Sequence, residues 1–173
     1  ALGSDAVATA KILAAALKQI PYDLIFAGHR AVDEDNYQVA AAVAELLDIP
    51  QISMAVKAEL GDGKITCHRT IEGGAVVLEA SLPAIITTQR GLNEPRYASL
   101  PGIMKAKKKP VEVKTVADLG LDAGSLGADN RKVKVKALRF PPERQAVRMI
   151  EGESPADIAA ELVKALHEES KVI

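Results

Sequence analysis

A short run of almost wholly apolar residues, Asp23 to Ala27, lies between two segments with helical periodicity. The apolar faces of these helices are formed by Ala6, Ala10, Leu13, Leu17 and Ile20 before the run, and by Val39, Val43, Leu46 and Leu47 after it. An apolar strand enclosed by helices is typical of a parallel sheet covered on both faces. The pattern therefore predicts an α/β fold with an open, mostly parallel sheet flanked by helices.

Beyond Pro50 the sequence predicts a β-hairpin. Two strand-like segments, Gln51–Glu59 and Lys64–Thr70, flank a Gly-Asp-Gly turn. Two further short strands follow, at Ala75–Ala80 and at Ala84–Thr88. The hairpin is thus expected to extend the parallel sheet.

The C-terminal part of the chain has a weaker pattern. Residues 132–140 alternate charged and apolar side chains, which predicts an exposed or edge strand. A Ser-Pro-Ala-Asp sequence at residues 154–157 matches a helix capping box. We therefore expect an α/β domain over residues 1–140 and a C-terminal arm over residues 141–173 that ends in a helix. The sequence leaves open whether this arm packs on its own domain or on another subunit.

The composition argues against several classes of function. The 173 residues are 48% apolar and 26% charged with a net charge of −1, which is typical of one soluble globular domain. Aromatic residues make up 3% and tryptophan is absent, so stacking on nucleic-acid bases is not expected. No apolar run is as long as a membrane span, so membrane insertion is not expected either.

Cys67 is the only cysteine, so no disulfide is expected within the chain and a reducing compartment is indicated. That compartment would be the bacterial cytoplasm, or the mitochondrial matrix if the protein is eukaryotic. The sequence opens without a methionine, and we interpret it as lacking its true N-terminus.

The polar loop after the apolar strand is the best candidate for a small-molecule site, because ligands of doubly wound folds lie beyond the carboxyl ends of strands. Gly28 allows a phosphate to approach the backbone, and the amides at the start of the next helix favour an anion. Asp33 is suited to accept a hydrogen bond from a ribose hydroxyl, and Gln38 offers both a donor and an acceptor. The candidate residues are Ala27, Gly28, His29, Arg30, Asp33, Asn36, Gln38 and Val39. The alternative is an ordinary polar loop between a strand and a helix.

The sequence shows no set of residues with catalytic or metal-binding spacing. The acidic turn at residues 33–36 lacks the glycine and the distal glutamate of a calcium loop. The three histidines lie far apart, and Cys67 and His68 point to opposite faces of a predicted strand. The sequence therefore indicates a binding or carrier protein without catalytic residues or a metal site, rather than a hydrolase.

Residues 91–109, which we call the docking segment, combine apolar and basic side chains. Leu100, Ile103 and Met104 form a short apolar group, and four lysines follow within residues 105–109. One interpretation is a surface loop whose apolar residues anchor a partner while its basic residues steer it. The other is a short amphipathic helix with a solvated lysine face.

Three segments resemble the β (small) subunit of electron transfer flavoproteins. They are YDLIFAGHRAVDEDNYQVA, RTIEGGAVVLEASLPAIITT and LNEPRYASLPGIMKAKKK, and together they extend over residues 4–122. The later segment RFPPERQAVRMIEG resembles some bacterial members. Compared with the family, the chain lacks the N-terminal part that contains the first strands and some of the nucleotide contacts.

The resemblance implies a heterodimer in which a larger α subunit carries the redox-active FAD. The complex is expected to take electrons from flavin dehydrogenases such as acyl-CoA dehydrogenases, in fatty acid oxidation, and to pass them to a quinone oxidoreductase. The β subunit is implied to have a Rossmann-like, adenine-nucleotide-binding fold, to bind AMP as a structural nucleotide and to catalyse no reaction itself.

The resemblance also assigns roles to individual residues. The nucleotide site is implied to be lined by Ala27, Gly28, Asp33, Asn36, Gln38 and Val39. Leu100 is implied to enter an apolar pocket on the dehydrogenase. The segment around it is implied to be shaped by Tyr97, Pro101, Ile103 and Met104, with Lys105 and Lys108 at its basic end.

Some residues depart from the family pattern. Thr70 replaces a frequent acidic residue, which leaves any α-subunit contact there open, and Gly102 replaces an asparagine of some members. The loop DEDNYQV differs from the DGDTAQV often seen in electron-bifurcating members, which bind a second FAD in place of AMP. Glu34 and Tyr37 would crowd that FAD, so AMP is expected. Two alternatives stay open: a bifurcating subunit with its own FAD, and a nucleotide-binding regulatory domain without a redox role.

Overall fold

The computed structural model describes residues 4–144 and 146–173 of the chain. The chain separates into two compact units, one up to Lys134 and one from Val135 onwards. The domain boundary expected from the sequence lies slightly further along, between residues 140 and 141. The four α-helices of the described residues are α1 (Ala6–Leu17), α2 (Val39–Leu47), α3 (Leu100–Ala106) and α4 (Pro155–Lys164). Two short 3-10 helices, Ala123–Leu126 and Ala128–Asn130, lie between α3 and α4.

One sheet forms the centre of the first unit. Its five strands are β1 (Leu24–Gly28), β2 (Gln51–Gly61), β3 (Lys64–Ile71), β4 (Gly74–Ser81) and β5 (Ala84–Thr88), in the spatial order β1-β5-β2-β3-β4. Strand β5 pairs in parallel with β1 and β2, whereas β3 pairs antiparallel with β2 and β4. Four of the five strands therefore run in the same direction. The predicted α/β class, with a mostly parallel sheet and a hairpin extension, is confirmed.

Helices α1 and α2 cover one face of this sheet. Their buried residues Ala10 and Val43 form a core with Ile85 of β5. The carboxylate of Asp5 caps α1 by accepting a hydrogen bond from the Ala8 amide at 2.9 Å. Asp5, and not the preceding Ser4, is the N-cap because Asp5 has the extended backbone and its carboxylate makes the capping bond.

A second core lies on the other side of the sheet and is formed by residues of β2, β3, β4 and β5. Ile86 lies next to Ile85 in β5 and so points to the other side of the sheet, where it packs with Ile52, Ile65 and Cys67. Strand β2 shifts register against β5 between Ile52 and Ala55, and against β3 between Ala55 and Lys57. Met54, within the first of these shifts, has a φ of 61°. Such an irregularity bends a strand, and here it lies between the parallel pairing of β2 with β5 and its hairpin pairing with β3.

The second unit contains the predicted C-terminal helix. The Ser154 hydroxyl caps α4 by accepting a hydrogen bond from the Asp157 amide at 3.2 Å, so the predicted helix start is confirmed. A π-helical turn, Ala165–Glu169, continues α4, and Arg148 forms an ion pair with Glu169 at 2.8 Å. The strand predicted over residues 132–140 is wrong: these residues form no strand, because an alternating pattern makes one only beside a pairing partner. In the residues described, no helix is long and apolar enough to cross a membrane.

Candidate functional site

A cleft of about 410 Å³ opens where β1 ends, between the start of α1 and the start of α2. We call it the loop cleft. Of the residues predicted for a small-molecule site, those lining it are Gly28, His29, Arg30, Asp33, Asn36, Gln38 and Val39. Ala27 lies just before them in β1, where its carbonyl accepts a hydrogen bond from the Thr88 hydroxyl at 3.3 Å. The structure thus brings the candidates together at the carboxyl end of a parallel strand, and what they bind stays a prediction.

The shape of the loop depends on a cluster of charged and aromatic side chains. Arg30 Nη1 donates to both carboxylate oxygens of Asp35, at 2.7 and 2.8 Å, and this hydrogen bonding raises the pKa of Arg30. The Arg30 guanidinium carbon also lies 5.2 Å from the ring centre of Tyr37. The Tyr37 ring meets His29 edge-on, with ring centres 4.5 Å apart. His29 and Arg30 are among the residues predicted from the sequence, but the pairing of Asp35 and the contacts of Tyr37 are not, because nothing in residue spacing specifies them.

Further hydrogen bonds within the loop occupy its other polar groups. Asp33 accepts from the Glu34 amide at 2.8 Å, and Glu34 accepts from the Asn36 side chain at 2.9 Å. Asp35 and Tyr37 both have positive φ, 52° and 58°, which costs free energy for residues with a side chain. The contacts of the loop therefore hold a backbone that these residues would not adopt in isolation.

Helix α2 contributes an electropositive end to the cleft. Its N-cap residue, Gln38, makes no capping hydrogen bond with its side chain. The first amides of a helix have no partner within the helix, so uncapped ones are suited to bind an anion. At the other wall Asp5 holds the start of α1, and the pKa of Asp5 is lowered, chiefly by its hydrogen bond from the Ala8 amide.

Within the described residues, no group of three or more His, Cys, Asp or Glu side chains is arranged to hold a metal ion. Cys67 is fully buried in the core beneath the hairpin, and burial raises the pKa of its thiol. A protonated, buried thiol is a poor nucleophile. Cys67 therefore acts as a small apolar core residue.

The docking segment contains helix α3. The Ser99 hydroxyl caps it by accepting a hydrogen bond from the Gly102 amide at 3.3 Å, and Pro101 occupies its first turn. The sequence was compatible with either a surface loop or a short helix in this segment. The structure has a helix over Leu100–Ala106. A Cβ at Gly102 would lie 3.2 Å from the Ser99 hydroxyl, so a small residue suits this cap.

The apolar residues of α3 face away from any core. Leu100, Ile103 and Met104 share one helix face, and all are exposed, Leu100 to 74%. No residue of α3 is buried, and Tyr97 just before it is 99% exposed. The predicted docking residues in or beside α3 are Tyr97, Leu100, Pro101, Ile103, Met104, Lys105 and Lys108. The helix thus presents an apolar stripe followed by lysines.

A second cleft, of about 710 Å³, was not predicted. It lies between Phe26 of β1 and residues 88–95, which connect β5 to the docking segment. Phe26 is 56% exposed although it belongs to the most apolar strand. Phe26 was the only feature of the sequence that pointed to this cleft, as a large aromatic residue in a strand expected to be buried. The sequence did not show that Phe26 is exposed.

The pattern of the Electron transfer flavoprotein domain matches residues 1–119 of this chain. The chain belongs to the electron transfer flavoprotein family. It is 43% identical over 171 residues to the electron transfer flavoprotein subunit beta of Bacillus subtilis (strain 168), covering 98% of this chain and 64% of that relative. It is 41% identical over 153 residues to the subunit of the same name from Mus musculus, covering 88% of this chain and 57% of the relative.

A third relative has a different name. The chain is 34% identical over 167 residues to the Caffeyl-CoA reductase-Etf complex subunit CarD of Acetobacterium woodii, covering 96% of this chain and 64% of that relative. The chain thus spans less than two thirds of the length of these relatives. The family predicted from the sequence is confirmed, and both the loop cleft and the docking segment lie within the residues matched by its domain.

Proposed function

We propose that this electron transfer flavoprotein chain acts as a β subunit that docks flavin dehydrogenases through α3. The observation that carries the proposal is the exposed stripe of Leu100, Ile103 and Met104 on a helix without a buried residue. Exposed apolar side chains beside basic ones are typical of a protein-binding surface. Leu100 is the proposed anchor because it is the most exposed of the three.

The electron carrier in this proposal is the FAD of a larger α subunit, and this chain performs no bond chemistry itself. Dehydrogenases of the acyl-CoA type deliver electrons, and a quinone oxidoreductase receives them. The arm of residues 141–173 is proposed to pack on the α subunit. Exposed apolar residues of α4, such as Leu162 and Val163, support that role.

The loop cleft is proposed to hold AMP as a structural nucleotide. Its residues fit such a ligand: Gly28 leaves the backbone open, since nothing lies within 4 Å of the position of its missing Cβ. Arg30 and the uncapped start of α2 are suited to a phosphate, and Asp33 is suited to a ribose hydroxyl. Bound AMP supplies no redox chemistry and would serve only to fill and stabilise the cleft.

The test is to purify the protein with its natural partners and to count the nucleotides that denaturation releases. One FAD and one AMP per complex support the proposal. A chain that never co-purifies with a flavin-bearing subunit supports the regulatory alternative and contradicts the proposal.

A bifurcating subunit with its own FAD is the second candidate. The observation in its favour is the 34% identity to CarD, a subunit of a Caffeyl-CoA reductase-Etf complex. Two FAD molecules and no AMP per complex would establish this candidate. Tyr37 and Glu34 line the loop cleft, which favours the smaller nucleotide.

A further inference from the structure

The carboxylate of Asp5 joins two parts of the chain that lie far apart in the sequence. One oxygen, Oδ1, accepts a hydrogen bond from the Ala8 amide at 2.9 Å and caps α1. The other, Oδ2, accepts from the backbone amides of Lys132 at 2.5 Å and of Val133 at 3.4 Å. A single side chain thus holds the start of α1 and the segment that follows Arg131 together.

This segment has few other attachments to the α/β unit. The first compact unit ends at Lys134, and residues 132–144 are exposed and contain no helix or strand. Among the described residues, Lys132, Val133 and Lys134 form no hydrogen bond with the α/β unit except those to Asp5. The place where the chain leaves this unit is therefore held by one carboxylate.

The attachment is a charge-assisted one. Amides that donate to a carboxylate form shorter and stronger hydrogen bonds than those between neutral groups. The pKa of Asp5 is accordingly lowered, first by the hydrogen bond from Ala8 and next by the one from Lys132. Each part of the chain uses a different carboxylate oxygen, so a neutral amide side chain, which has a single acceptor oxygen, cannot serve both.

A fixed starting point matters for the arm of residues 141–173 because its apolar side chains lie open. Leu162 and Val163 of α4 are 46% and 55% exposed, and no residue of α4 is buried. Ordering a free chain on a partner costs conformational entropy, and restricting that chain before it binds lowers the cost. A chain that is already held at Lys132 therefore starts its encounter with a partner partly ordered.

We infer that Asp5 is a positioning residue for the arm: by holding the Lys132 amide, it fixes where the chain leading to the arm leaves the α/β unit, and so strengthens binding of the α subunit. The inference rests on the proposed function, because it takes the α subunit as the surface on which the arm packs. Asp5 acts through the backbone of residues 132–133 and needs no contact with the α subunit.

The first test compares Lys132→Pro with Lys132→Ala in the full chain. Both remove the lysine side chain, but only proline removes the backbone N–H. Arg131 has a ψ of 134°, an extended value that suits a residue before proline. Calorimetric titration with the flavin-bearing α subunit should give Lys132→Pro an affinity about threefold to tenfold below that of Lys132→Ala, as for the net loss of one hydrogen bond.

Asp5→Asn completes a double-mutant cycle. Asparagine caps α1 with its one acceptor oxygen and turns an NH₂ donor towards the Lys132 amide. In the Lys132→Ala background it should weaken α-subunit binding by about threefold to tenfold. In the Lys132→Pro background it should have little further effect, because the bond that it removes is already absent. Equal losses in both backgrounds would show a general effect on stability and would refute the role of Asp5.

A separate variant tests the packing of the arm itself. If glutamate at both Leu162 and Val163 leaves α-subunit affinity unaltered, the arm does not pack on the α subunit, and the inference fails with that proposal. If this variant binds weakly while Lys132→Pro and Lys132→Ala bind alike, the packing of the arm stands and the role of Asp5 is refuted. Should circular dichroism show that Lys132→Pro does not fold, Asp5→Asn alone decides, and an unchanged affinity refutes the inference.

Discussion

The loop cleft and the docking segment are both rich in charge, yet they use it in opposite ways. In the loop cleft, Arg30 pairs with Asp35, and Asp33 and Glu34 accept hydrogen bonds from neighbouring groups. In the docking segment, Lys105 and the other lysines after it form no ion pair with any described residue. A region whose charges are paired internally is built to keep its shape, whereas unpaired charges are available to a partner.

The apolar residues of the two regions also differ, because those near the loop cleft are buried and those of α3 are exposed. Around the loop cleft, the adjoining helices bury Ala10, Val43 and Ala44 against the sheet. In α3, Leu100 and Met104 are exposed and contribute nothing to a core. Changes near the loop cleft should therefore alter folding or small-ligand binding, whereas changes in α3 should alter only protein docking.

The largest expected effect is the loss of dehydrogenase binding when Leu100 is truncated. Leu100→Ala should weaken binding to the partner dehydrogenase by about 30-fold, which corresponds to about 2 kcal/mol for a central apolar anchor. Its unfolding free energy should not change, because the side chain is exposed. Surface plasmon resonance and urea unfolding measure the two quantities. Leu60→Ala, at another exposed leucine, is the control and should leave binding intact; equal losses in both variants would contradict the role of α3.

The lysines should affect the rate of association. Changing Lys105 and Lys108 together to glutamine should slow association about tenfold at low ionic strength, since steering by exposed charges is electrostatic. The difference should vanish at high salt, because salt screens exposed charges. Stopped-flow mixing measures the rate, with Lys134 and Lys136 changed to glutamine as the control. An association rate that does not depend on salt would show that the lysines of the docking segment are merely solvated.

Asp5 should affect folding without affecting docking. Asp5→Ala removes the cap of α1 and should lower the unfolding free energy at pH 7. The pKa of Asp5 is lowered in the folded protein, so its contribution is present above pH 3.8 and is lost as pH falls through the folded pKa. Urea unfolding should therefore show a smaller difference between variant and wild type at pH 3.

Asp5→Asn tests the origin of that pH dependence. Asparagine retains the capping oxygen but cannot ionise, so stability at pH 7 should be nearly kept while its acid dependence becomes flatter. A variant with the same acid profile as the wild type would assign the dependence to other groups.

The smallest effect is expected at the cap of α3. Ser99→Ala should weaken dehydrogenase binding about threefold, because an uncapped short helix is formed less of the time. Ser154→Ala removes the same kind of cap from α4 and is the control. If Ser154→Ala weakens dehydrogenase binding as much as Ser99→Ala, docking would not depend specifically on α3.

Much of the fold was predictable because its signals are local. The apolar run before Gly28, the helical periodicity from Val39 and the capping residues at Ser154 each report on their own neighbourhood. The hairpin followed from its turn residues. The prediction over residues 132–140 was wrong because alternation alone does not show whether a partner strand lies alongside.

The site was predictable only in outline. A loop at the end of a strand indicated where a ligand would lie, but the contact of Arg30 with Tyr37 depends on the positive φ of Tyr37, which no pattern signals. The irregularity at Met54 was hidden for a similar reason. Its amide donates to the buried Thr87 hydroxyl at 2.9 Å, a contact between residues far apart in the sequence.

Hydrogen–deuterium exchange of the purified complex tests most directly whether the loop cleft binds the nucleotide and α3 binds the dehydrogenase. Amides are compared in the free complex, with AMP added and with the dehydrogenase added. We predict that AMP slows exchange in residues 28–40 only, and that the dehydrogenase slows it in residues 97–106 only. Protection of residues 28–40 by the dehydrogenase, with residues 97–106 unchanged, would contradict the account.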